Sequence, residues 1–169
     1  MPKLKFVWIA IAAIFFVSAC GVYSFRDVTI DYTKIKTIKI GFIENKARYV
    51  NPQLSPKLTD KIQQKITSQT KLSRTNNDDA HLQVTGYVSN YDASQTVGVS
   101  NGQTSTNRLT VSVHIVLRNT VENKTEEFDV SRNFDFSASL SLQQAENQLL
   151  DEVVRNLTDE IFNKIFSNW

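Results

Sequence analysis

Five aliphatic side chains stand at every second position between Leu109 and Leu117: Leu109, Val111, Val113, Ile115 and Leu117. Thr110, Ser112 and His114 fill three of the four alternate positions, with Val116 at the fourth. A strand turns successive side chains to opposite faces, so this spacing makes one face apolar and the other polar. Such a strand needs hydrogen-bonded neighbours and a layer over its apolar face, which excludes an all-helical fold.

The flanking sequence supplies both. Leu82, Val84, Gly86 and Val88 alternate with polar residues as far as Tyr91, which predicts one neighbour. Glu122-Asn123-Lys124 reads as a tight turn, after which Thr125 to Phe136 returns with Phe128, Val130, Arg132 and Phe134 on one face. Ile35 to Ile43 also alternates, placing Lys36, Ile38, Ile40 and Phe42 together. Two helices are expected. Ser55 suits an N-cap and Pro56 the first helical position, with Leu58, Ile62 and Ile66 following at intervals of four. Ser141 and Gln144 form a capping box, after which Ala145, Leu149, Val153, Leu157, Ile161, Ile165 and Trp169 run as one stripe. The order is β-α-β-β-β-α. It predicts an α+β two-layer sandwich, a four-stranded, mostly antiparallel sheet with two helices on one face.

The first residues read differently from the rest. Lys3 and Lys5 precede an unbroken apolar run from Phe6 to Val17, and Ser18-Ala19-Cys20 closes it. A positive start, a short apolar stretch and small residues describe a secretory signal. The run is shorter than the ~20 apolar residues that span a bilayer. Val17-Ser18-Ala19-Cys20 resembles the lipobox of bacterial lipoproteins. That resemblance implies removal of residues 1–19 and fatty acylation, palmitate included, at Cys20. Gly21, rather than Asp, follows Cys20, which by the same resemblance favours the outer membrane. Cys20 is the only cysteine, so no disulfide is available and the fold rests on its core. The expected organisation is a signal peptide over 1–19, a lipidated lead-in over 20–34 and one α+β domain over 35–169. The formal charge of +2 comes from Lys3 and Lys5. The rest balances, so no basic footprint for nucleic acid is left.

Chemistry-bearing motifs are sparse. There is no phosphate loop, no cysteine pair and no metalloprotease motif. His81 and His114 are far apart in sequence and read as solvent-facing side chains, not as metal ligands. The chain is expected to be no enzyme and to carry no cofactor beyond the lipid on Cys20. Two surface features remain. Gln95 to Asn107 is rich in Gly, Ser, Thr and Asn and reads as a flexible hairpin tip, with Gly98, Asn101, Gly102, Asn107 and Arg108 as candidate partner contacts. Arg118, Lys124 and Arg132 are candidate contacts for lipid phosphate, or else ordinary solubilising cations.

Several blocks together resemble the LptE family, the lipopolysaccharide-assembly lipoproteins of Gram-negative bacteria. They are the lipobox with Cys20-Gly21-Val22-Tyr23-Ser24-Phe25, the stretch Ile38-Lys39-Ile40-Gly41-Phe42-Ile43-Glu44-Asn45, and Ala80 to Val88. The helix opening at Pro52 or Pro56, the strand Arg108 to Leu117 and the final helix complete the series. The resemblance implies a two-layer α/β lipoprotein of the outer membrane, facing the periplasm. It also implies binding to a β-barrel of the LptD type, plugging of that barrel, and lipopolysaccharide as a further partner. Other readings are a lipoprotein activator of a cell-wall synthase and a hydrolase with scattered catalytic residues. The synthase activators share a lipobox and a strand like Ile40 to Asn45 but carry a long tether after the cysteine.

Overall fold

The computed structural model describes residues 30–100 and 103–167. Its elements are β1 (Thr37–Ile40), β2 (Glu44–Asn45), α1 (Leu54–Gln69), β3 (Ser73–Arg74), β4 (Leu82–Ser100), β5 (Gln103–Asn119), β6 (Lys124–Ser137) and α2 (Leu142–Ser167). The alternating run lies in β5 as expected, with Leu109, Val111, Val113, Ile115 and Leu117 all fully buried. β5 pairs antiparallel with β4 on one side and β6 on the other. The turn into β6 uses Asn123 with φ 53°, a left-handed conformation that Asn tolerates better than most residues.

The sheet departs from the expected four mostly antiparallel strands. It has six strands and is mixed, in the order β3-β1-β4-β5-β6, with β2 also against β4. β1 runs parallel to both β3 and β4. The physical reason is α1. A helix between two strands carries the chain back along the sheet, so the next strand enters in the same direction.

The segment Ile35 to Ile43 is not one continuous strand. Ile40 pairs with Val84, whereas Glu44 pairs with Tyr87. Four steps along this segment therefore oppose three along β4. One extra residue flips the alternation, because the side-chain period is two. Ile38 and Ile40 face the core before the insertion, and Ile43 faces it afterwards. Phe42, expected inward, is turned out and 57% exposed.

Helix α1 begins earlier than Ser55 predicts. Gln53 is its N-cap and makes no side-chain cap bond. Asn51 Oδ1 accepts from the Gln53 N–H at 2.9 Å instead, and Ser55 is buried. Pro56 falls within the first turn, where the missing N–H costs nothing. The second start is as read: the Ser141 N–H donates to Gln144 Oε1 at 2.9 Å, and the Gln144 N–H to Ser141 Oγ at 3.3 Å. Leu58, Ile62 and Ile66 of α1 and Val153, Leu157, Ile161 and Ile165 of α2 join one core with the inward side chains of β1, β4, β5 and β6. Both helices thus cover one face of the sheet.

The other face carries cross-strand polar pairs. Thr110 donates to Asn133 at 2.9 Å, Ser112 and Ser131 meet at 2.9 Å, and His114 Nδ1 meets Asp129 Oδ1 at 3.0 Å.

Candidate functional site

β4 and β5 continue beyond the helix-covered body. Core burial ends at Tyr91 and Leu109, yet the ladder runs on through Gln95↔Arg108 and Thr96↔Asn107 to Ser100↔Gln103. β6 accompanies it only to Ser137, opposite Thr106. The outermost part is therefore a two-stranded ribbon. Within the expected flexible tip, residues 95–100 and 103–107 are strand, because Thr96, Val97 and Thr106 are β-branched and favour extended backbone once a partner is in register. Register shifts between Asp92 and Gln95, and around Gly98, interrupt the ladder. Such bulges bend and twist a ribbon.

The residues singled out from sequence distribute as follows. Cys20, Asn101 and Gly102 lie outside the described residues. A Cβ on Gly98 would stand 3.0 Å from Ser105 Oγ and 3.1 Å from Thr106 Oγ1, so the two strands pack closely there. Asn107 Oδ1 accepts from Thr96 Oγ1 at 3.5 Å. Arg108 grips Asp135 through two parallel bonds, Nε to Oδ1 at 2.7 Å and Nη2 to Oδ2 at 2.9 Å. This fork holds the Asp135 carboxyl below the usual carboxylate range. It ties the base of the ribbon to β6 and leaves Arg108 already partnered.

The three further cations do not converge. Lys124 pairs with Glu126. Arg132 lies on the helix-covered face and pairs with Glu160 of α2. Arg118, opposite Thr125, is exposed on the other face. The two histidines are partly exposed and each has a hydrogen-bond partner. His81 Nδ1 accepts from the Lys36 N–H at 2.9 Å. His114 contacts Asp129 and leans on the Tyr87 ring, with 5.2 Å between centroids. Among the described residues, no group of three or more His, Cys, Asp or Glu could hold a metal ion. None of the described helices is long and apolar enough to cross a membrane.

One feature was not anticipated from sequence. At the root of the ribbon, Tyr49 and Tyr91 stack with centroids 5.5 Å apart and planes 27° from parallel. Both hydroxyls donate to Glu146 near the start of α2, Tyr91 at 2.8 Å and Tyr49 at 3.2 Å. Glu146 is only 7% exposed. Burial, then the bond to Glu146, pushes the Tyr91 hydroxyl well above the ordinary phenol range. Burial and the Glu146 charge push Tyr49 the same way. The two rings edge a cleft of about 660 Å³. Its sequence signal is Glu146 itself, which heads the buried row Leu150, Val154, Thr158, Phe162 and Phe166 at intervals of four. A carboxylate in register with such a row must have buried partners.

The sequence matches the LptE family model, described as lipopolysaccharide-assembly, over residues 35–165. The chain belongs to the LptE family. The match spans β1 through nearly all of α2, the whole sheet included. No curated protein sequence matches this LptE-family chain. Solved structures with a similar fold include the rare lipoprotein B from Shewanella oneidensis, 12% identical with a TM-score of 0.48, covering 75% of this chain and 92% of that one. Lipoprotein B from Nitrosomonas europaea is 13% identical with a TM-score of 0.45, covering 79% and 81%. PelC, a dodecamer from Paraburkholderia phytofirmans, is 11% identical with a TM-score of 0.40, covering 72% and 87%. Membership of the LptE family rests on the sequence match, and with it a general role in lipopolysaccharide assembly.

Proposed function

We propose that this LptE-family chain is an outer-membrane lipoprotein that binds and partly plugs an LptD-type β-barrel during lipopolysaccharide assembly. The observation that carries the reading is the family match over residues 35–165. The lipobox ending at Cys20 supports an anchor on the periplasmic side, since two or more acyl chains hold a protein stably on a bilayer. The ribbon beyond Asp92 supports the plug. It narrows from three strands to two past Thr106 and is rich in Ser, Thr, Asn and Gln, which suits the polar interior of a large barrel. The role is one of binding and placement. No reaction is assigned to the chain, and no cofactor beyond the lipid on Cys20.

The test is purification of the full chain from detergent-solubilised envelopes, with the Cys20→Ser variant alongside. A large β-barrel should co-isolate with the wild type, and the variant should persist as an unprocessed, unlabelled precursor. Recovery of a peptidoglycan synthase in place of the barrel would favour the cell-wall reading. Normal processing of the variant would remove the anchor.

A further inference from the structure

The cleft at the ribbon root has a chemistry of its own. Tyr49 is 43% exposed, an unusual state for a ring so firmly held. Its back is stacked on Tyr91 and its hydroxyl is fixed to Glu146. An exposed ring held at both ends is a rigid platform, with little conformational freedom left to lose on binding. Phe136 and Leu140 add apolar surface to the cleft. Arg48, Asn90, Asp92 and Asn107 also line it, with Asp92 Oδ1 accepting from the Ser94 N–H at 2.9 Å and Asn107 Oδ1 from Thr96 Oγ1 at 3.5 Å. All four carry flat, forked polar ends, a guanidinium, two amides and a carboxylate.

That combination suits one class of ligand. A pyranose ring presents C–H groups on its faces and adjacent hydroxyls around its edge. The faces gain dispersion contact with an aromatic platform. Adjacent hydroxyls can be met two at a time by forked donors and acceptors. An acyl chain would instead desolvate the polar rim without replacing its hydrogen bonds. A bare phosphate would face the Asp92 carboxylate as well as Arg48. The volume lies within the ~300–1,000 Å³ usual for ligand clefts. The larger groove of about 820 Å³ beside α1 and β3 has no such platform. Two pairs of its polar groups are already closed, Lys65 with Asp159 at 2.7 Å and Arg74 with Gln63 at 2.6 Å.

We propose that the cleft formed by Tyr49, Asn90, Asp92 and Asn107 at the base of the β4–β5 ribbon binds a saccharide, with the Tyr49 ring as its stacking platform. This does not depend on the barrel partnership. Saturation-transfer NMR tests it, using the full chain in a detergent without a sugar headgroup. The probes are a lipid-free core oligosaccharide released from lipopolysaccharide by mild acid, sodium palmitate and inorganic phosphate. Sugar ring protons should receive saturation, and Tyr49→Ala should weaken binding at least tenfold. Tyr49→Phe should keep it within about threefold, because the ring and not the hydroxyl makes the contact. Asn90→Ala, at an exposed site, should weaken it severalfold without altering the fold. Absence of transfer to the sugar, transfer only to palmitate, binding of phosphate alone, or equal sugar binding by wild type, Tyr49→Ala and Asn90→Ala would each overturn the proposal. Sugar binding without barrel co-isolation would leave it standing and remove the barrel reading instead.

Discussion

Tyr91 and Glu146 make a buried hydrogen bond that only a neutral phenol can donate. Burial and the neighbouring carboxylate raise the Tyr91 pKa in the folded chain. A raised folded value means stability is complete below the ordinary phenol value of ~10 and is lost as pH climbs towards the folded one. Denaturant melts followed by circular dichroism should therefore show the wild type losing stability progressively above pH ~10. Tyr91→Phe should be less stable at neutral pH by ~1–2 kcal/mol, because Glu146 loses a buried donor. Above pH ~10 its slope should be shallower, with Tyr49, also bonded to Glu146, supplying what remains. Identical alkaline slopes in the two proteins would show that Tyr91 does not carry the linkage.

At the scale of the element, the inserted residue between β1 and β2 decides which side chains form the core. Ile43 is fully buried and its N–H donates to Thr59 Oγ1 of α1 at 3.0 Å, while its neighbour Phe42 points to solvent. Alternation read from sequence gives the opposite assignment, so substitution at the two positions discriminates sharply. Ile43→Ala should cost ~2–5 kcal/mol through lost burial and a cavity. Phe42→Ala should change stability by no more than ~0.5 kcal/mol. Equal losses in chemical denaturation would mean that the register is wrong. The same contrast shows what the sequence makes legible. β5 and the capping box at Ser141 are local patterns, complete within a few residues, and both stand as read. The interruption at Gly41 depends on the register against β4, more than forty residues away, and no local pattern reports it. The two residues of β3 are too short to leave any periodicity. The cleft at Tyr49 and Tyr91 draws its parts from the β2–α1 connection, β4, β5, β6 and α2, of which only Glu146 leaves a mark in sequence.

Across the whole molecule, stability and the proposed partnership occupy different regions. The core holds both helices and the sheet as far as Tyr91 and Leu109, and the Arg108–Asp135 fork closes the end of that body. Beyond it, the ribbon contributes ladder bonds between its own strands and few contacts to the rest. Replacing residues 97–106 by a tight Asn-Gly turn joins Thr96 to Asn107, which already face each other in the ladder, so a two-residue hairpin keeps the register. The melting temperature should then shift by no more than ~4 °C, since little buried apolar surface is removed. Co-isolation of the β-barrel should be lost if the ribbon is the part that enters it. A shortened chain that folds, is processed at Cys20 and still recovers the barrel in wild-type amounts would place the contact on the sheet or the helices. In that case the polar open face, with its Ser112–Ser131 and His114–Asp129 pairs, becomes the surface to substitute next.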